Sequence, residues 1–145
     1  MPIGQLLFSF EGRIRRLHWW LARLAVGAVV GMVFVLLAVV AAALGASAHE
    51  GSTPSEAAAG AIGIVFGLAM LILLPLVIWI ELALTAKRWH DRDKPAVMVL
   101  IVFIPLVGPL WTVIECGFMD GTQGPNQYGP SPKGIGGPSP AQVFA

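Results

Sequence analysis

Two uncharged apolar runs constrain this chain more than any other feature. Leu24 to Ala46 and Ala57 to Ile80 contain no Asp, Glu, Lys or Arg. Each exceeds the roughly 20 residues with which a helix crosses the hydrocarbon core of a bilayer. Backbone N–H and C=O groups in that core must be paired internally, and no two-residue alternation suggests a barrel, so both runs predict membrane-spanning helices. Composition agrees, with 57% hydrophobic and 12% charged residues where soluble domains carry about a quarter charged. A third apolar stretch, Ala96 to Ile114, is barely long enough to cross and contains Pro105, Gly108 and Pro109.

The expected fold is therefore all-α, an integral membrane helical bundle with three hydrophobic segments. Its single membrane domain covers residues 1–133, with helices at about 20–46, 54–90 and 96–116, followed by a disordered Gly- and Pro-rich tail over 134–145. The third segment is read as a kinked crossing, with a re-entrant hairpin as the alternative. Thr53, Pro54 and Glu56 predict a capping box at the start of the second helix. Pro75 predicts a bend within it. Gly27 with Gly31, and Gly63 with Gly67, form two GxxxG pairs that allow close helix contact.

An export signal is the rival reading of the first run, since Arg13, Arg15 and Arg16 precede it and Ala46 to Ala48 reads Ala-Ser-Ala. The apolar core of such a signal is about 7–15 residues, and this run is longer. A single cysteine, Cys116, excludes an internal disulfide. A net charge of +1 points to no nucleic-acid partner.

The charges are few but clustered. Lys87 to Lys94 reads "KRWHDRDK" and holds Lys87, Arg88, Arg92 and Lys94, out of nine Lys and Arg in the chain. The N-terminal arm holds Arg13, Arg15 and Arg16, with Arg23 at the start of the first run. The connection between the two runs has none, and Lys133 alone follows Ile114. The positive-inside rule then places the N-terminus and the Lys87–Lys94 connection in the cytoplasm. His18, Trp19, Trp20 and Trp89 bracket the same level, as an interfacial aromatic belt does.

Three stretches, "FEGRIRRLHWW", "RWHDRDKPA" and "GTQGPNQYGPSPKG", resemble the signatures of a bacterial family, domain-of-unknown-function family 805, the YhaH-like inner-membrane proteins. The resemblance covers about Phe10 to Lys133. It implies a small multi-pass protein of the bacterial inner (cytoplasmic) membrane and implies no activity. It singles out Gly12, Arg13, Arg16 and Trp20 in the first motif, Arg88, His90 and Asp91 in the second, and Gly124, Asn126, Tyr128, Gly129 and Pro132 in the third. The family usually has Gly where this chain has Asp93, so the loop after Asp91 is expected to differ in shape.

The chemistry open to these residues is limited. His90 and Asp91, with His18 as a second imidazole, fall short of the about four ligands a closed metal site needs. No nucleophile, base and oxyanion set is recognisable. Neither a cofactor nor catalysis is expected. Arg88, Asp91 and Arg92 are expected to satisfy one another at helical spacing, with Trp89 at the interface. Glu81 stands inside the second helix, where an unpaired charge costs a few kcal/mol, and Arg23 is its expected partner across the helix pair. Glu115 reads as an interfacial residue.

Two functional readings follow. One is a membrane-embedded binding or interaction protein whose basic cytoplasmic face contacts anionic lipid head groups or a protein partner. The other is a small transporter or channel subunit, built as a homo-oligomer, with Glu81 on its pathway.

Overall fold

A computed structural model describes residues 2–46 and 56–136. Helix α1 covers Ile3–Phe8, α2 covers Arg16–Ala46 and α3 covers Glu56–Asp91. A 3-10 helix follows at Ala96–Phe103, then α4 at Val107–Thr112 and a π-helical turn at Val113–Phe118. No strand is formed among the described residues; one isolated bridge joins Asn126 and Gly129. The expected Thr53 cap and most of the expected tail lie outside the described residues.

The chain forms two compact units, Leu24–Ile78 and the remainder, Met1–Arg23 with Trp79–Ala145. The first consists of the apolar lengths of α2 and α3. Both helices are long and apolar enough to cross a membrane, and their most apolar stretches are not buried within the protein. Met32, Leu36, Ile64, Leu68 and Leu71 are exposed, a surface suited to lipid rather than water. A small gap of about 70 Å³ lies between Leu37, Val40, Ala41, Ile62, Val65 and Phe66. The GxxxG glycines make no close contact: a Cβ on Gly27, Gly31, Gly63 or Gly67 would meet nothing within 4 Å.

The other unit is built on the charged end of α3. This helix ends in a Schellman motif, with Lys94 N–H donating to Trp89 O and Asp93 N–H to His90 O, both at 3.0 Å. Asp93 takes the left-handed position at φ 58°, where glycine is favoured but Asp is tolerated because its short polar side chain suits that conformation. The position thus has a backbone conformation suited to glycine although Asp occupies it.

The third apolar segment does not make the expected kinked crossing or the expected helix over 96–116. It folds back on itself, as in the alternative reading. Its first arm is an eight-residue 3-10 helix that rises about 16 Å, against a hydrocarbon core of about 30 Å. The reversal is a γ-turn at Leu106, φ 64° and ψ −55°, closed by Val107 N–H to Pro105 O at 2.7 Å. Gly108 permits the return: its Cβ would lie 1.9 Å from Ile101 O. The ends of the segment meet, Lys94 Nζ lying 2.9 Å from Glu115 Oε1. Glu115 is correspondingly buried.

Because Asp93 is exposed and makes no side-chain bond, Asp93→Gly relieves the left-handed penalty without losing a contact. It should stabilise the protein by about 1 kcal/mol, read as a higher thermal midpoint in detergent. An unchanged or lower midpoint would refute the Schellman assignment.

Candidate functional site

The three sequence motifs converge on one carboxylate. Asp91, in the last turn of α3, accepts from Arg13 Nε on Oδ1 at 3.1 Å and from Arg88 Nη1 on Oδ2. Arg88 reaches it because the two residues are three apart on one helix. Arg13 reaches it from the segment between α1 and α2. Both guanidinium groups are almost wholly enclosed, at 1% and 0% side-chain exposure.

Two buried cations on one anion leave an excess positive charge, and the backbone neutralises it. Arg13 Nη1 donates to Gly124 O at 2.8 Å and Gly129 O at 3.0 Å, and Nη2 to Thr122 O at 2.9 Å and Thr122 Oγ1 at 3.0 Å. Arg88 Nε donates to Cys116 O at 2.7 Å and Nη2 to Met119 O. The planar fork of five donors makes such a hub possible, which a lysine could not reproduce. The loop after the π-helical turn is thereby wrapped around two arginines. Gly121 is pressed so close that its Cβ would lie 1.8 Å from Asp91 Oδ2.

Asn126 completes the closure. Its Nδ2 donates to His90 O at 2.8 Å and Thr122 Oγ1 at 3.1 Å, while its Oδ1 accepts from Tyr128 N–H at 2.9 Å. Tyr128 stacks on His90 with ring centroids 3.9 Å apart and planes 8° from parallel. Trp20 Nε1 donates to Gly117 O at 3.2 Å. Seven expected residues, Arg13, Trp20, Arg88, His90, Asp91, Asn126 and Tyr128, therefore belong to one polar cap.

The other expected residues lie around this cap. Arg16 is exposed, donating to Phe118 O at 3.2 Å and lying 3.6 Å from Asp120 Oδ1. Arg23 Nε lies 2.9 Å from Glu81 Oε2, so those two residues meet each other rather than the cap. Arg92 does not share Asp91 as expected but turns to Glu115 Oε2 at 2.5 Å and Asp120 O at 2.8 Å. Trp19 and Trp89 are wholly buried instead of forming an exposed belt.

Sequence reasoning missed Thr122, Gly121 and the carbonyls of residues 116–129, since an acceptor carbonyl leaves no mark on residue type. It also missed Lys87, fully buried, whose Nζ holds Gln5 O at 2.6 Å together with Leu6 O, a cation on the C-terminal carbonyls of α1. At the rim, the hydrogen bond from Lys133 Nζ at 2.9 Å, aided by the charge of Arg16, holds the exposed Asp120 carboxyl below its ordinary range. That contact is present at neutral pH and is lost as pH falls through the lowered value.

No group of three or more His, Cys, Asp or Glu side chains able to hold a metal ion is gathered among the described residues. His90 is spent on stacking and Asp91 on two arginines. The arrangement locks three chain segments together.

Asp91→Asn keeps the shape but turns one acceptor into a donor facing a buried arginine. It should cost about 3–5 kcal/mol, the penalty for breaking a buried ion pair. Asp120→Asn at the exposed rim should leave stability nearly unchanged. Thermal denaturation of both variants in one detergent checks the contrast, and similar losses would contradict it.

Residues 7–130 match the family model described as "Protein of unknown function (DUF805)". Over 126 residues, 86% of this chain, the protein is 32% identical to the inner membrane protein YhaI of Escherichia coli K12, covering 86% of that relative. It is 31% identical to the inner membrane protein YhaH of the same strain, again over 86% of this chain and 88% of the relative. No solved structure matches. With two apolar helices of membrane-spanning length, inner-membrane relatives and a family match over most of its length, the chain belongs to the DUF805 family of membrane proteins.

Proposed function

We propose that this is a non-enzymatic binding protein of the inner membrane. It crosses the bilayer twice, has both ends in the cytoplasm, and presents the polar cap to anionic lipid head groups. The carrying observation is the closure of the third apolar segment: Lys94 and Glu115, at its two ends, lie 2.9 Å apart. Two crossings and a re-entrant hairpin bring the chain back to the side where it began. The clustering of Lys and Arg on that side supports a cytoplasmic placement.

Five of the nine basic residues are buried or paired with Glu115. Arg13, Lys87 and Arg88 are buried, and Arg92 and Lys94 are paired with Glu115. Contact with head groups falls to Arg15, Arg16, His18 and Lys133. Arg15 is exposed, and its Nε donates to Pro132 O at 2.6 Å. Arg15 and His18 border a cavity of about 430 Å³ that also touches Leu6 and Ile14, an amphipathic setting suited to the membrane surface. The rival transport reading rests on Glu81, whose carboxylate is occupied on one oxygen by Arg23.

Reporter fusions placed after Gly134, one active only in the cytoplasm and one only outside it, test the topology. Cytoplasmic signal is expected, and external signal would overturn the reading. Head-group contact is tested in nanodiscs. Adding phosphatidylglycerol should stabilise the protein, by about 1 kcal/mol per engaged cation, with the gain fading at high salt. Arg15→Gln with Lys133→Gln should remove most of that gain. A gain untouched by the double variant would exclude these residues.

A further inference from the structure

A cavity of about 240 Å³ in the same unit as the cap is used by neither the cap's hydrogen bonds nor the proposed anionic contact. Arg23, Glu81, Thr85 and Thr112 border it, with Val99 and Val102 among its apolar walls. Thr112 is only 3% exposed, and its hydroxyl has no hydrogen-bond partner. Such a group is costly to bury and normally finds a partner. The Arg23–Glu81 pair is also incompletely used. It engages Nε and Oε2, leaving Oε1 and both terminal amino groups without hydrogen bonds among the described residues. The guanidinium carbon lies 4.5 Å from the ring centroid of Trp19, so one face of the cation is covered and its N–H edge is what remains to offer.

We propose that this cavity binds the head group of a zwitterionic phospholipid that carries a primary ammonium. The free groups are of both signs and stand side by side, which selects a ligand that also carries both. Glu81 Oε1 and Thr112 Oγ accept from the ammonium, and the terminal amino groups of Arg23 donate to the phosphate. A purely anionic head group would face the Glu81 carboxylate. A trimethylated ammonium has no N–H to donate. The depth fits, because Arg23 and Glu81 adjoin the uncharged runs Leu24–Ala46 and Ala57–Ile80, at the hydrocarbon boundary where head groups lie. Val99 and Val102 face the apolar part of the lipid. This site is independent of the rim residues assigned to anionic lipid.

Native mass spectrometry of the delipidated full-length protein tests the proposal, using equal amounts of phosphatidylethanolamine, phosphatidylcholine and phosphatidylglycerol with identical acyl chains. Phosphatidylethanolamine should be retained about tenfold over phosphatidylcholine, the worth of one hydrogen bond to a charged group. Thr112→Val deletes a hydroxyl that the fold leaves unpaired, so it should keep the thermal midpoint and lose most of this preference. Thr112→Ser should keep it. Glu81→Gln should abolish it. Displacement of the bound lipid by free O-phosphoethanolamine would place recognition in the head group, as expected. Retention against a large excess would place it in the acyl chains and overturn the proposal. Equal retention of all three lipids, preference for phosphatidylglycerol, or a preference unchanged in Thr112→Val would also overturn it.

Discussion

Asp91 carries two buried arginines, and the cap depends on that contact. A carboxylate flanked by Arg13 and Arg88 cannot be removed without leaving two enclosed cations unpaired, a loss larger than either hydrogen bond is worth. The excess positive charge explains why the loop after Phe118 is drawn in. Its carbonyls are the nearest uncommitted acceptors, and low local polarity strengthens every bond they make to a guanidinium. Arg13 spends donors on Asp91, Thr122, Gly124 and Gly129 at once. One side chain therefore ties the N-terminal segment, the end of α3 and the loop before Lys133 into a single object. Two of the arginines that read as a basic surface, Arg13 and Arg88, are its interior.

The hairpin follows from the same geometry. An apolar segment flanked by Lys94 and Glu115 can either span the membrane, separating the two by about 30 Å, or return and let them pair. Return is favoured where the backbone can turn and pack closely. Pro105 removes a donor and Leu106 reverses the chain. Gly108 lets the second arm lie on the carbonyl of Ile101. The outer surface of the hairpin is strongly apolar, with Phe103, Leu106, Leu110 and Trp111 exposed.

Much of this was legible in the sequence where residue type carries the physics. The two long apolar helices follow from uncharged length, and Glu81 calls for Arg23 because a carboxylate at the edge of an apolar run needs a partner. Other features were legible only as alternatives. Pro105, Gly108 and Pro109 permit both a kink and a reversal, and segment length does not separate the two. What stayed hidden is the identity of acceptors. Thr122, Gly124 and Gly129 serve Arg13 through backbone oxygens that every residue possesses. Gly121 and Gly117 resemble turn glycines, yet each is held by contact, with the Asp91 carboxylate in one case and the Trp20 ring in the other. The GxxxG pairs show the reverse: the spacing suggests close packing, but a Cβ on Gly27, Gly31, Gly63 or Gly67 would meet nothing within 4 Å among the described residues.

The cap as a single, arginine-tied object is the central claim, and amide hydrogen exchange tests it most directly. The amides of Thr122, Asn126 and Gly129 are bonded to Asp91 O, Gly129 O and Asn126 O at 2.8, 3.1 and 3.0 Å, in a loop that has little secondary structure to protect it. Arg13→Lys keeps the charge but removes the five-donor fork. Exchange at these three amides should then rise sharply while the apolar lengths of α2 and α3 stay protected. Protection of the loop undiminished in Arg13→Lys would show that it stands without the arginine, and would contradict the account.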